Sequence, residues 1–221
     1  MTQTDHTRIS DAVHAAELGT AGEIVTILAD RSDRYSDVAL WWSVLMAILA
    51  LAALAAFPRF WLTLITELSG GWTNEWSVGS AFELALAVVA VIFGLTRLIF
   101  EYWPLRLVLT PGIVKSHRVR ARALSYFKIG AAGRTSGRTG ILIFLSLAEH
   151  RAEIVADGAI HSKVAPEMWG EAMAKLIADV RHGRIADGMV AAIGDVGLIL
   201  ADHLPRADDD INELPDRLIE L

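Results

Sequence analysis

The chain has 221 residues, of which 53% are hydrophobic, and 20 basic against 26 acidic residues give a formal net charge of −6. Its mean hydropathy of +0.41 is high for a soluble globular protein. The acidic balance argues against a nucleic-acid partner. No cysteine is present, which excludes disulfides, cysteine-ligated zinc, iron–sulfur clusters and a thiol nucleophile.

The first 37 residues predict one helix and one strand. Ile9, Val13 and Ala16 recur at the spacing of one helix face. Residues 22–30, GEIVTILAD, are rich in the β-branched residues typical of strands. Because a single strand cannot fold alone, we expect it to pair with strands encoded later in the chain.

Two apolar segments predict a transmembrane hairpin over residues 38–104. Residues 38–58 carry no charged side chain, and about 20 such residues cross the hydrocarbon core of a bilayer. The second span covers about residues 81–103, with Arg97 and Glu101 placed to pair four residues apart near its end. The alternative is a buried helical hairpin in a soluble protein, whose core helices usually have only about 10–14 apolar residues.

The distribution of basic residues predicts the orientation of the hairpin. The connection over residues 59–80 contains one basic residue, Arg59, whereas residues 105–138 contain many basic residues and no acidic one. Basic residues concentrate on the cytoplasmic side, where they face anionic lipid headgroups. We therefore expect a multi-pass protein with the lipid bilayer as a partner and both termini in the cytoplasm.

Residues 105–205 predict the remainder of a discontinuous α/β domain that residues 1–37 begin. A helix over residues 114–129 is followed by strands over 139–148 and 151–160, and by helices over 166–181 and 185–203. The strand over 139–148 is continuously apolar, as expected of a central strand covered on both faces. Residues 206–221 contain a run of three aspartates at 208–210 and are predicted to be a disordered polar tail.

Three carboxylates are the candidate ligands for a hard cation. Asp30 ends the first strand, Asp157 ends the third, and Asp187 opens the last helix. Ligands gather at the carboxyl ends of strands in open sheets, and Ca²⁺ or Mg²⁺ prefers oxygen ligands. Asp30 and Asp157 face one crevice if their strands run in the same direction. The alternative is that Asp157 and Asp187 serve only as turn and helix-start residues.

Three stretches resemble the TPM-domain family, which is named for its thylakoid lumen, photosystem II-associated and acetylcholine-receptor-modulating members. These stretches are GILIFLSLAEHRAEIVADGAIHSKV at residues 140–164, GRIADGM at 183–189 and NELPD at 212–216. The chain is more closely similar to bacterial membrane proteins that carry this domain around a two-helix insertion. The resemblance implies an α/β/α sandwich on a mixed sheet, located at the bacterial inner membrane.

The same resemblance implies two different functions. Some members of the family assemble or modulate membrane complexes, some bind divalent cations, notably calcium, and acid phosphatase activity has been attributed to one branch. The absence of any nucleophile–base motif favours a non-catalytic binding or assembly module for a membrane-protein partner, without an organic cofactor. The alternative is a divalent-metal-dependent phosphatase that uses Asp30, Asp157 and Asp187.

Overall fold

The computed structural model describes residues 1–68, 77–130, 132, 135, 137–165, 167–206 and 212–221. It divides into two compact units, one formed by Met1–Asp33 with Gly112–Leu221 and the other by Arg34–Pro111. In chain order the elements are α1 (Gln3–Glu17), β1 (Glu23–Ala29), α2 (Ser36–Ala56), α3 (Pro58–Leu68), α4 (Val78–Ile99), α5 (Trp103–Leu109), α6 (Gly112–Gly130), β2 (Gly140–Ser146), β3 (Arg151–Ala156), α7 (Gly158–His161), α8 (Met168–Arg181), α9 (Ile185–His203) and β4 (Ile219–Glu220).

The first unit contains a four-stranded mixed sheet in the order β3-β2-β1-β4. β1 and β2 are parallel and pair along their whole length, from Glu23 opposite Gly140 to Ala29 opposite Ser146. β3 is antiparallel to β2, and β4 is parallel to β1. The predicted mixed α/β class is therefore confirmed, and the strand that precedes the apolar helices lies in the same sheet as those that follow them.

Helices cover both faces of the two central strands, and every residue of β1 and β2 is buried. On one face, alternate residues such as Ile24 and Ile143 pack in a core with α1, α8 and α9. On the other face, Ile27 and Phe144 pack against the buried side of α6. Burial on both faces explains why these strands read as continuous apolar runs rather than alternating ones.

The end of the chain differs from the sequence-based expectation of a disordered tail. Leu214 and Leu218 are buried, and β4 pairs with β1 through Ile27 opposite Ile219. Pairing with the edge of β1 satisfies backbone hydrogen-bonding groups, and burial of the two leucines removes apolar surface from water. Together these two effects order the segment. The expectation is thus wrong for residues 212–221, whereas residues 207–211 lie outside the described residues.

The third strand is shorter than its alternating pattern predicts. β3 ends at Ala156, and a single helical turn, α7, begins at Gly158 instead of continuing the strand to Ile160. Ile160 is buried in the same core as α8 and α9. The turn at Asp157-Gly158 ends the strand, and the helical turn after it directs the Ile160 side chain into this core.

The second unit contains two helices that are long and apolar enough to cross a membrane. The mean hydropathy of their most apolar windows is 2.3 in α2 and 2.2 in α4. The two helices pack against each other, and Trp42 stacks on Phe100 with 6.3 Å between ring centroids. Arg97 and Glu101 form the expected ion pair at the end of α4, at 3.6 Å.

The connection between these two helices is partly helical rather than a simple loop. α3 follows α2 directly, and the indole N–H of Trp61 donates a hydrogen bond to the carbonyl of Ala53 at 3.1 Å. One face of α3 is apolar and the other carries polar residues such as Thr63. Residues 69–76, which complete the connection, lie outside the described residues.

A glycine contact between α1 and α9 yields a test of this packing. A Cβ atom on Gly197 would lie 2.7 Å from the Cβ of Ala16, whereas one on Gly194 of the same helix meets open space. We expect Gly197→Ala to lower the free energy of unfolding by about 1–3 kcal/mol through overpacking. Gly194→Ala should raise it by about 0.5–1 kcal/mol, because alanine has the higher helix propensity. Denaturant unfolding of both variants measures the difference, and equal effects would contradict the α1–α9 contact.

Candidate functional site

The candidate metal ligands Asp30 and Asp157 lie at opposite ends of the sheet along the strand direction. Asp30 follows β1, and its carbonyl accepts from the N–H of Ala148 beyond the end of β2. Asp157 follows β3, and its N–H donates to the carbonyl of Gly140 at the start of β2. Since β3 is antiparallel to β2, the length of a strand, about 20 Å, separates the two carboxylates. The expectation that they share one crevice is therefore wrong.

The third candidate ligand, Asp187, is engaged by an arginine. Its carboxylate accepts from the guanidinium of Arg8 on α1 at 2.7 Å, so it ties the start of α9 to α1. Within the residues that the structure describes, no three His, Asp or Glu side chains cluster closely enough to hold a metal ion. The three predicted ligands do not fit a single calcium or magnesium site, which needs several oxygens converging within about 2.6 Å of the ion.

A buried carboxylate lies instead at the carboxyl ends of the two central strands. Glu149 is 8% exposed, and it accepts hydrogen bonds from the N–H of Ser32 at 3.1 Å and from its hydroxyl at 2.7 Å. The hydroxyl of Ser146 also donates to Glu149. Both serines are at most 2% exposed, so neither hydroxyl can meet a substrate. The group fastens the turn after β2 to the turn after β1.

Basic residues of α6 complete this end of the domain. Arg118 forms an ion pair with Asp33 at 2.6 Å, and the Nε of Arg122 donates to the carbonyl of Ser32 at 2.9 Å. Arg122 also lies over the ring of Tyr126 at 5.5 Å. Part of the basic charge that the sequence assigns to the membrane surface is therefore used to hold α6 on the sheet.

A second cluster of carboxylates holds the end of the chain at the start of β1, away from Glu149. Glu17 accepts from the N–H of Ile24 at 2.7 Å and from the side chain of Asn212 at 3.2 Å. Glu23 accepts from the N–H of Leu214 at 3.1 Å, and Asp216 contacts His14 at 3.0 Å. These bonds anchor residues 212–216 to α1 and β1.

Glu17 is the strongly perturbed group of this cluster. Burial, with repulsion from Glu23 and Asp216, raises the pKa of Glu17 from 4.5 to about 8, against the opposing hydrogen bond from the Ile24 N–H. Glu17 therefore holds a proton at neutral pH, which limits the negative charge that the cluster carries. The contacts of Glu17 are structural, because each of them joins two segments of the same chain.

An accessible groove of the first unit runs along β3. We call it the β3 groove; β3 forms its floor, with α6 and α8 as its walls. Two adjoining cavities of about 410 and 480 Å³ make it up. The residues from the walls include Arg120 and Leu124 of α6, and Trp169, Gly170 and Met173 of α8. The far end is bounded by His150, Arg151 and Arg181.

Sequence reasoning missed the β3 groove and both carboxylate clusters. The signal for Glu149 was its place directly after a fully apolar strand, where a charged residue must find donors. For Glu17 and Glu23 no local signal existed, because their partners come from the tail some two hundred residues away. The groove depends on which side of β3 stays unpaired, and that follows only from the strand order.

Comparisons with known proteins show the fold and leave the family open. No protein-family model matches the chain, and no curated protein matches it. A similar solved structure is the NMR structure of the BA42 protein from the psychrophilic bacterium Bizionia argentinensis, with a TM-score of 0.56. It is 18% identical over 100% of this chain and 95% of that chain. At this identity the likeness is one of fold alone.

The raised pKa of Glu17 predicts a pH-dependent stability. Between pH 4.5 and about 8 the folded chain holds a proton that the unfolded chain has lost. The free energy of unfolding should therefore decrease as the pH rises through this window, by on the order of 1 kcal/mol per pH unit. Glu17→Gln should flatten this slope, since glutamine is neutral at every pH.

Denaturant unfolding of the full chain in detergent at pH 5, 6, 7 and 8 measures the slope. Glu171→Gln is the matched control, because Glu171 is an exposed carboxylate on α8. Its variant should keep the slope of the original protein. An unchanged slope in Glu17→Gln would show that the buried proton is not on Glu17.

Proposed function

We propose that this chain is an integral protein of the bacterial inner membrane with a cytoplasmic binding domain. In this proposal α2 and α4 form a transmembrane hairpin, and both termini lie in the cytoplasm. The first unit is an α/β/α sandwich of the TPM type, and it acts as a non-catalytic binding or assembly module for a membrane-protein partner.

The observation that carries the proposal is the exposure of α2 and α4. Only 11% of the apolar window of α2 and none of that of α4 is buried. Large side chains such as Trp41, Ile48 and Phe82 are more than half exposed. A core helix of a soluble protein buries such residues, and a patch of this size in water promotes aggregation. Lipid is the environment in which this surface is stable.

The strand order supports a cytoplasmic domain with two membrane crossings. β1 precedes α2, and β2 follows α4, yet the two strands are neighbours in one sheet. Both flanks of the hairpin must then lie on the same side of the membrane, which an even number of crossings provides. The basic residues that follow α4 favour the cytoplasmic side.

Ion pairs within the domain leave fewer basic side chains of α6 available to lipid than the sequence suggests. Arg118 and Arg120 pair with Asp33 and Glu153 inside the domain. Lys115 and Lys128 have no carboxylate partner in the part of the chain that the structure describes. In the proposal these two lysines face anionic headgroups, at about 1 kcal/mol each when close to the surface.

Within the described residues, the three predicted ligands do not come together as the phosphatase alternative requires. A phosphatase of that kind needs its metal ligands and its substrate in one cleft. Asp30 and Asp157 lie at opposite ends of the sheet along the strand direction, and Asp187 is paired with Arg8. The β3 groove, in contrast, is open and lies on the domain that the proposal assigns to partner binding.

Single cysteines in this cysteine-free chain test the topology. We expect Glu67→Cys on α3 to react with a membrane-impermeant maleimide added to cells with a permeabilised outer membrane. Glu171→Cys on α8 should react only after the inner membrane is lysed, because α8 lies in the cytoplasm in this proposal. Both side chains are exposed, so accessibility differs only through the membrane.

The protein should also stay in the membrane fraction after a carbonate wash, as expected of an integral protein. Labelling of Glu171→Cys before lysis would overturn the cytoplasmic assignment. Release of the protein by carbonate would overturn the membrane-spanning hairpin itself.

A further inference from the structure

The outer edge of β3 presents unpaired backbone groups. In the antiparallel ladder, residues alternate between facing the neighbouring strand and facing away from it. The N–H of Asp157 donates to Gly140 of β2, so the residues two, four and six positions before it also face β2. The backbone N–H and C=O groups of Ala152, Ile154 and Ala156 therefore point away from the sheet. These N–H groups have no hydrogen-bond partner among the described residues.

The opposite edge of the same sheet is covered by the chain itself. The carboxylate of Glu17 accepts from the N–H of Ile24. Beyond it, β4 and the last residue pair with β1, with the N–H of Leu221 donating to Leu28 and the N–H of Asp30 donating to Leu221. Edge strands usually need such protection. One edge of this sheet thus has a cover, and the β3 edge has none in the described part of the chain.

The walls of the β3 groove determine what can approach this edge. α6 and α8 flank β3. One cavity is lined by both helices and the strand, and the adjoining one by β3, the turn before it and α8. A second copy would have to bring its own flanking helices against these walls to pair with β3. A single extended segment, with strand spacing of about 4.8 Å, fits between the walls.

The chemistry of the groove specifies the side chains of that segment. On the α8 side, Ile154, Trp169 and Met173 offer an apolar surface. At the far end, Arg181 has no carboxylate partner within the residues that the structure describes, whereas Arg151 interacts electrostatically with Glu153. Of the two glutamates there, Glu149 is turned inward to Ser32 and Ser146, and Glu153 pairs with Arg120.

We propose that the β3 groove binds an extended peptide segment of a protein partner, which adds a fifth strand beside β3. The segment carries apolar residues at alternate positions toward α8 and an acidic residue at the end near Arg181. Backbone hydrogen bonds to Ala152, Ile154 and Ala156 provide affinity, and the side-chain contacts provide selectivity. The inference rests on the proposed function only in taking this partner to be a membrane protein.

Gly170 offers a way to close the groove without disturbing the fold. It lies on α8 and lines both cavities, and a Cβ atom built there meets nothing within 4 Å. Gly170→Trp should fill the groove, whereas Gly170→Ala should leave it open. Gly194→Trp on α9, where a Cβ also meets open space, is the matched control for adding a tryptophan elsewhere.

The probe is a synthetic peptide selected from a displayed library of random twelve-residue peptides, using the full chain in detergent micelles. We expect the selected peptide to alternate apolar residues and to carry an acidic residue at one end. Fluorescence polarisation should show binding at least tenfold weaker to Gly170→Trp and unchanged binding to Gly170→Ala and Gly194→Trp. The amides of Ala152, Ile154 and Ala156 should exchange with deuterium more slowly when the peptide is bound.

Three results would overturn the inference. They are the absence of any enriched peptide, binding that Gly170→Trp leaves unchanged, and a bound peptide that does not slow exchange at β3. Protection of these amides that increases with protein concentration, without peptide, would assign the edge to a second copy and would equally overturn it. None of these results depends on topology, so failure here and failure of the cysteine labelling are distinguishable.

Discussion

The parallel pairing of β1 with β2 is the constraint on which the rest of the structure depends. These two strands form the centre of the sheet, and every one of their residues is buried. They belong to chain segments separated by the whole second unit. Parallel neighbours need a crossover between them, and here α6 supplies its helix while the apolar helices are inserted before it. The domain therefore closes only when both sides of the insertion meet.

The same pairing determines the chemistry of the domain's two ends. At the carboxyl ends of β1 and β2, the turns meet, and Glu149 collects donors from Ser32 and Ser146. At the opposite end, Glu17 and Glu23 receive the tail of the chain. Both carboxylate groups hold distant segments together. The β3 groove lies at the edge of the sheet where the described part of the chain makes no such closure.

The elements of this fold follow from local sequence patterns, but their arrangement does not. The apolar runs of β1 and β2 and the lengths of α2 and α4 are visible in the sequence, because a buried strand and a helix long enough to cross a membrane both consist of continuous apolar residues. The direction of β3 is not visible, and it separates Asp30 from Asp157. The tail appears polar, yet Leu214 and Leu218 dock on surfaces that exist only after the sheet has formed. Contacts of this range cannot be read from local periodicity.

Hydrogen exchange of the full chain in detergent micelles tests the central pairing most directly. We expect the amides of β1 and β2 to open with the same free energy, within about 0.5 kcal/mol, because both strands belong to one cooperative unit. Glu23–Ala29 should then be as protected as Gly140–Ser146. Exchange of β1 at the rate of a frayed terminus, while β2 stays protected, would contradict a single domain built from segments on both sides of the second unit.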